Sequence, residues 1–354
     1  MEIKKEELGE HKRRVRYKGK YPKKFEEKYK ELQPEKYKET AEHVISKGNT
    51  PAGTHRPICV DEILEFLDVK PGQIGVDATL GYGGHTQKLL ECLKNEGHLY
   101  SLDVDPIESK KTEKRLRDEG YGENLWSVCL MNFADIANVA KTAGKFDFVL
   151  ADLGVSSMQI DDPKRGFSFR EEGPLDLRLN PLAGVPASER LKEMDAEEIE
   201  GMLVENSDEP LAKEIARALM NARKKKMPIE TTSQLRELVE QVVMKTKPEN
   251  PKEAVKKTCQ RVFQALRIDV NSEFEVLDSF LEALPGILKP NGKAAILTFH
   301  SGEDRMVKKS FQYYSREGIY SEVAKDVIRP SAKECASNPR ARSTKLRWAI
   351  RSEN

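Results

Sequence analysis

The chain of 354 residues has no apolar run near the ~20 residues that a membrane-spanning helix needs. Its start, Met1-Glu2-Ile3-Lys4-Lys5-Glu6-Glu7, lacks the apolar stretch of a secretory signal, and its glutamates are foreign to a mitochondrial presequence. Cysteine is scarce: Cys59, Cys92, Cys129, Cys259 and Cys335 are scattered, odd in number and never spaced as CxxC. That argues against a disulfide framework or a structural zinc site, and a reducing, cytoplasmic setting fits. Neither charge is in excess, since 60 Lys+Arg and 59 Asp+Glu leave a net +1, so net charge predicts nothing about nucleic acid. With 34% charged and 38% hydrophobic residues, the composition is that of a folded, soluble protein rather than a disordered one.

Charge that balances over the whole chain is uneven along it. Between His11 and Lys30, ten Lys/Arg stand against two Glu, interleaved with Tyr17, Tyr21, Phe25 and Tyr29. Such a mixture can meet phosphates and stack on bases, and it serves equally as a solvated tail; both readings stand. Residues 1–53 read as a basic extension that ends in a link rich in glycine and proline.

Beyond it the pattern becomes regular. Apolar strands are expected at 74–78, 97–103, 125–130 and 146–152, alternating with helices after the glycine turn at 81–84, from Pro106 to about 118, and over 133–142. This alternation predicts a doubly wound parallel α/β sheet. It stops at about 161, where turns and helical patterns at 187–194, 196–205, 211–224 and 232–245 predict a helical domain inserted after strand four. One long helix over 256–284 and a strand at 293–299 return to the sheet. A helix after Gly302, an irregular stretch and a last strand at 345–350 complete it. The expected division is 1–53, then 54–160 with 257–354 as the sheet domain, and 161–256 as the insertion.

Chemistry gathers at the carboxyl ends of the strands, where open α/β sheets bind ligands. In Asp77-Ala78-Thr79-Leu80-Gly81-Tyr82-Gly83-Gly84-His85 a strand passes into a helix through glycines, which permit close backbone approach to a ligand. A dinucleotide site asks for G-x-G-x-x-G, but its third position here is Thr86, which weakens a reading as an NAD-dependent oxidoreductase. Asp103 ends the second strand, placed to accept ribose hydroxyls, while Asp105 is better placed to cap the helix from Pro106. With Asp77, Phe133 and Asp152 also at or just past strand ends, a nucleoside-type ligand is expected.

Strand four runs into Asp152-Leu153-Gly154-Val155-Ser156-Ser157-Met158-Gln159, followed by Arg165-Gly166-Phe167-Ser168-Phe169 and Asp176-Leu177-Arg178. Further on come Phe263-Gln264-Ala265-Leu266-Arg267-Ile268-Asp269-Val270-Asn271, Phe299-His300-Ser301 with Glu303-Asp304-Arg305, and Asn338-Pro339-Arg340-Ala341-Arg342-Ser343. In this order, over about residues 55–350, the motifs resemble the bacterial small-subunit ribosomal RNA cytosine-N4 methyltransferases, the MraW or RsmH family. The resemblance implies a Rossmann-like class I methyltransferase fold that carries the insertion. It implies S-adenosylmethionine as cofactor and methylation of a cytidine N4 in the decoding region of 16S rRNA. Carried over by position, the cofactor contacts are Gly83, Gly84, His85, Asp103, Phe133, Asp152 and Gln159.

Asp152, Gly154 and Ser156 offer a carboxylate, carbonyls and a hydroxyl to draw on the cytosine amine; the Pro-Pro-aromatic element of DNA amino-methyltransferases is absent. Phe167 and Phe169 could stack on an unstacked base or simply pack the insertion, and His300 could touch substrate or cap a helix. Arg165, Arg178, Arg340 and Arg342 are candidates for phosphates. His300 and Asp304 have no third ligand beside them, so no metal is expected. Two features depart from the family: the basic extension, and Gly302 where many members have leucine. A non-catalytic RNA-binding factor that keeps the fold is the rival reading, and monomer or homodimer is left open.

Overall fold

The computed structural model describes residues 57–353; the readings made for residues 1–53 lie outside them. The order of elements begins with α1 (Val60–Leu67), β1 (Ile74–Asp77), α2 (Gly84–Leu93), β2 (His98–Asp103), α3 (Pro106–Asp118) and β3 (Trp126–Leu130). A 3-10 turn (Phe133–Asp135), α4 (Ile136–Ala143), β4 (Phe146–Asp152) and α5 (Ser157–Asp161) follow. The helical segment holds α6 (Ala187–Glu193), α7 (Ala196–Ser207), α8 (Ala212–Lys224), α9 (Thr232–Lys245) and α10 (Pro251–Asn271). Then come α11 (Glu273–Ile287), β5 (Leu288–Thr298), α12 (Ser301–Arg316), β6 (Tyr320–Val323), α13 (Ala332–Ser337) and β7 (Lys345–Arg351).

Local sequence explains the best-defined ends. Asp105 accepts the N–H groups of Ile107 and Glu108 and is followed by Pro106, so α3 starts where capping chemistry says it must. Thr231 and Gln234 form a reciprocal capping box at the head of α9, as Asp195 and Glu198 do for α7. β4 is buried almost throughout, as a central strand with helices on both faces requires. Phe146, Phe148 and Leu150 each contribute about 1.5–3 kcal/mol by that burial.

The seven strands lie in the order β3-β2-β1-β4-β5-β7-β6. All neighbours are parallel except β7, which runs against both β5 and β6. The order reverses between β1 and β4, which opens a crevice at their carboxyl ends. One face of the sheet packs on α1, α2 and α3 through residues such as Ile63, Leu90 and Leu116. The other packs on α4, α11 and α12 through Ile136, Phe280 and Val307. A third core, built from α6 to α10, includes Leu203, Ile215, Val239 and Phe263.

Three expectations need correction. The single helix expected over 256–284 is two, α10 and α11, divided at Ser272, whose φ of 49° is left-handed. The side chain of Asn271 accepts Leu179 N–H and donates to the carbonyls of Leu177 and Arg267, which fastens the end of α10 to the loop below it. β5 begins at Leu288 rather than Lys293, with an irregular register against β4. The stretch read as irregular after α12 contains β6, an edge strand paired to β7.

Candidate active site

The glycine turn after β1 is shaped from outside by α3. Thr112 Oγ1 donates to the carbonyl of Gly81 at 2.6 Å, and the Arg115 guanidinium lies 4.3 Å from the Tyr82 ring while donating to the Tyr82 carbonyl. Gly83, at φ 75°, caps α2; a Cβ there would stand 2.8 Å from Thr112 Cγ2 and 3.0 Å from Leu116 Cδ1. Glycine is thus required twice over, by backbone conformation and by space. Gly81 differs, since a Cβ there would meet nothing nearer than Thr79 O at 3.9 Å. Gly84 follows as the first residue of α2.

Three acids end strands, and they divide their work. Asp77 is fully buried and occupied: Thr86 Oγ1 donates to it at 2.6 Å and Thr79 N–H at 3.1 Å. Thr86, at the position where a dinucleotide fold needs glycine, is therefore a latch between β1 and α2. Asp103 accepts Gly81 N–H on one oxygen and Asp105 N–H on the other, both at 2.8 Å. Each oxygen keeps a second lone pair. Burial pushes the Asp103 carboxyl up to about 6, against the pull of those two hydrogen bonds.

Asp152 completes the set. Its Oδ2 lies 3.4 Å from His85 Nδ1, and its Oδ1 is buried with no hydrogen-bond partner among the described residues. His85 is buried, and its Nε2, 3.0 Å from the Ile58 carbonyl, must carry a proton to bond there. Burial opposes a charge on this ring, but the Asp152 carboxylate, aided by Asp77, outweighs it and raises the imidazole above its usual range. His85 thereby fixes Asp152 beside the glycine turn.

The loop after β4 is organised around helix α5. Ser156 Oγ accepts Gln159 N–H, and Gln159 Oε1 accepts Ser156 N–H in return. Gln159 Nε2 donates at 3.0 Å to Asp105 Oδ2, the oxygen that also receives Arg165 Nη1 at 2.7 Å. Asp105 is thus the junction of the second strand end, the loop after the fourth, and the entry to the helical segment. Gly154, at φ 93°, is exposed, and Phe133 meets Phe280 edge-on at 5.2 Å beside the third strand end.

The positions nominated for substrate fare differently. Arg165 is buried: besides Asp105 it donates to the carbonyls of Arg178 and Leu179, so its guanidinium is consumed inside the fold rather than offered to phosphate. Arg178 is clamped on Asp176 by two bonds and also reaches the Ala183 and Gly184 carbonyls. Arg340 pairs with both oxygens of Asp161. Arg342 is the nominated arginine that is exposed and has no ion-pair partner among the described residues. Phe167 is buried in the helical core, and Phe169 packs against Phe263 at 5.5 Å, so packing wins over base stacking for the first and competes with it for the second. His300 caps α12 through its Nδ1 and lines a cleft that the sequence did not announce.

The donor set fits a nucleoside joined to an amino acid. It offers a carboxylate with spare lone pairs for ribose hydroxyls, a glycine turn with open space at Gly81, and a buried carboxylate oxygen of Asp152 left for an N–H group. With this strand order and these strand ends, the chain is a class I methyltransferase that uses S-adenosylmethionine.

Comparison with known proteins narrows the class. The model of the MraW methylase family matches residues 52–352, and the chain belongs to that family. It is 63% identical over 344 residues to "Ribosomal RNA small subunit methyltransferase H 1" of Agathobacter rectalis, covering 97% of this chain and 99% of that one. To "Ribosomal RNA small subunit methyltransferase H 2" of Alkaliphilus metalliredigens it is 57% identical over 340 residues, covering 96% and 97%. Among solved structures it is similar to an rRNA methylase from Streptococcus thermophilus, with a TM-score of 0.39, 12% identity, and 84% and 98% of the two chains covered.

Proposed function

We propose that this protein methylates the exocyclic N4 of a cytidine in the decoding region of small-subunit rRNA. The observation that carries the substrate is membership of the MraW methylase family over residues 52–352, together with relatives of 57–63% identity that are named for small-subunit rRNA. No helix among the described residues is long and apolar enough to cross a membrane, and we place the protein in the cytoplasm with its RNA. The sheet, expected at 54–160 and 257–354, is read as the catalytic domain, and 161–256 together with the rest of α10, which packs in the same helical core, as the part that meets RNA.

In this reading Asp103 would hold the ribose of S-adenosylmethionine, and Gly83, Gly84, His85 and Phe133 would line its bed. When bound, the cofactor supplies a sulfonium-activated methyl group. The protein's own task is then alignment, exclusion of water, and treatment of the acceptor amine. The cytosine N4 lone pair is delocalised into the ring, and an acceptor that takes an amine proton localises it as the new bond forms. Asp152 Oδ1 is suited to one such contact, because it is a buried carboxylate oxygen with no hydrogen-bond partner among the described residues. Ser156 is a weaker acceptor, since its Oγ already receives Gln159 N–H, and Gly154 contributes backbone beside it. Gln159 supports the site by tying this loop to Asp105. The target base must leave its stack to reach Asp152.

The test is nucleoside mass spectrometry after incubating the protein and S-adenosylmethionine with small subunits from a strain that lacks the activity. N4-methylcytidine should appear at one position. Methyl transfer to another atom, or none from active protein, would refute the substrate.

A further inference from the structure

Where the helical core meets the carboxyl end of the sheet there is a cleft of about 390 Å³, lined by residues of α7, α10, α11 and α12. That volume falls within the range of small-ligand sites. It adjoins the loop after β4: a Cβ on Gly154 would touch Phe299 Cδ2 at 3.7 Å, and Phe299 precedes His300 of the cleft wall. On that wall Phe274 and His300 stand 5.8 Å apart, tilted by 57°. The His300 side chain is 10% exposed, and its Nε2, although 3.1 Å from Glu303 Oε1, has no hydrogen bond of acceptable geometry. Gly302 explains part of the shape. A side chain there would come within 2.7 Å of Phe274 Cζ and 3.1 Å of His300 Nδ1, so Phe274 can stand where it does only beside glycine.

The polar lining is mixed rather than uniformly basic. Arg305 is exposed and without an ion-pair partner among the described residues, on the second turn of α12. The same lining includes Glu205 and Asp208, at the carboxyl end of α7. Arg261, also on the wall, is paired with the buried Glu209 at 2.6 Å. Gln264 donates to the Asn206 carbonyl, leaving its own amide oxygen as an acceptor. A cleft for phosphate alone would not line itself with two carboxylates as well as its arginine. Aromatic surface, donors, acceptors and Arg305, a cation with no ion-pair partner among the described residues, together match a nucleobase that carries its phosphate.

We propose that this cleft is a second nucleotide subsite, which takes one unpaired base flanking the target cytidine of the RNA, with Phe274 as stacking surface and Arg305 on the phosphate. The proposal rests on the rRNA reading above and adds a discriminating site beside the reaction centre. It gives Gly302 and Phe274 a joint role in which base is accepted.

The test is a cycle between protein and RNA. Oligoribonucleotides covering the methylated segment are made abasic at one flanking position at a time, and affinity is measured with wild type, Phe274→Leu and Arg305→Ala. For wild type, one abasic position should weaken binding roughly tenfold, the scale of one stacked base. Phe274→Leu should bind the intact RNA more weakly and lose that discrimination. Arg305→Ala should weaken binding to all the RNAs and leave S-adenosylhomocysteine affinity unchanged. If no flanking position couples to Phe274→Leu, or Arg305→Ala binds like wild type, the proposal is wrong. The methylation reading is judged separately, by whether wild type forms N4-methylcytidine in the intact RNA.

Discussion

Replacing Arg165 with methionine separates a structural arginine from a phosphate-binding one. In the fold the Arg165 guanidinium gives one charged bond of 2.7 Å to Asp105 and two bonds, of 3.0 and 2.7 Å, to the carbonyls of Arg178 and Leu179. Methionine fills much of the volume and supplies none of them. Asp105, fully buried, keeps only Gln159 and the amides of its own helix end. Removing one partner of a buried pair costs about 3–5 kcal/mol, and those surviving bonds argue for the lower figure. At about 2 °C per kcal/mol for a large domain, Tm should fall by roughly 6 °C. Because Asp105 N–H positions Asp103, S-adenosylhomocysteine should also bind more weakly. Calorimetry of Arg165→Met, Asp105→Asn and the double variant measures the coupling, and the double variant should lose less than the two singles combined. An unchanged Tm, joined to a salt dependence of RNA binding reduced by about one unit of slope, would show that Arg165 holds phosphate and that this reasoning is mistaken.

Asp103 should make cofactor affinity depend on pH. Its carboxyl, pushed up to about 6 by burial, must be ionised to accept both hydroxyls, so affinity should fall about tenfold per unit below pH 6. The apo fold has the opposite sign, because it binds the proton before the unfolded chain does and gains stability as pH falls from 6 toward 4; titration calorimetry and thermal melts across that window check both. Gly83→Ala should destabilise by more than about 1 kcal/mol, since it adds left-handed strain to contact with Thr112 and Leu116, and a denaturant midpoint equal to wild type would contradict this. Arg342→Ala should reduce the salt slope of RNA binding and leave Tm alone, whereas Arg340→Ala should lower Tm by breaking its pair with Asp161; the reverse pattern would exchange their roles.

How far the sequence could be read depends on the range of each cause. Helices α3 and α9 were legible to the residue because Asp105, Pro106, Thr231 and Gln234 signal them from within one turn. The break at Ser272 carries no glycine or proline and is fixed by Asn271 reaching a loop 92 residues away. β6 is short, and Ser321 and Glu322 are exposed, so no apolar alternation marks it. Asp103 and Asp152 were legible because strand ends place them. Arg165 and Arg340 misled because the acids that pair with them are remote, Asp105 60 residues from Arg165 and Asp161 179 from Arg340, whereas the Asp176 that clamps Arg178 is only two residues away. The cleft assembles four separate stretches of chain, and no local pattern points to it.

The place of the helical segment in the chain also governs how the protein can be made. β4 pairs with β5 in the middle of the sheet, Ala151 opposite Ile296 and Asp152 opposite Leu297, yet all of α6 to α11 is synthesised between them. Translation proceeds from the amino end, so β4 leaves the ribosome with one bare edge and keeps it until the last third of the chain emerges. That edge is apolar, with Phe148, Val149 and Leu150 in sequence, and bare apolar edges invite pairing with other chains. The intervening helices make mostly local contacts and can form early, which draws the two ends of the gap together before β5 arrives. A body read here as a surface for RNA is, during synthesis, also the device that shortens the longest closure in the sheet.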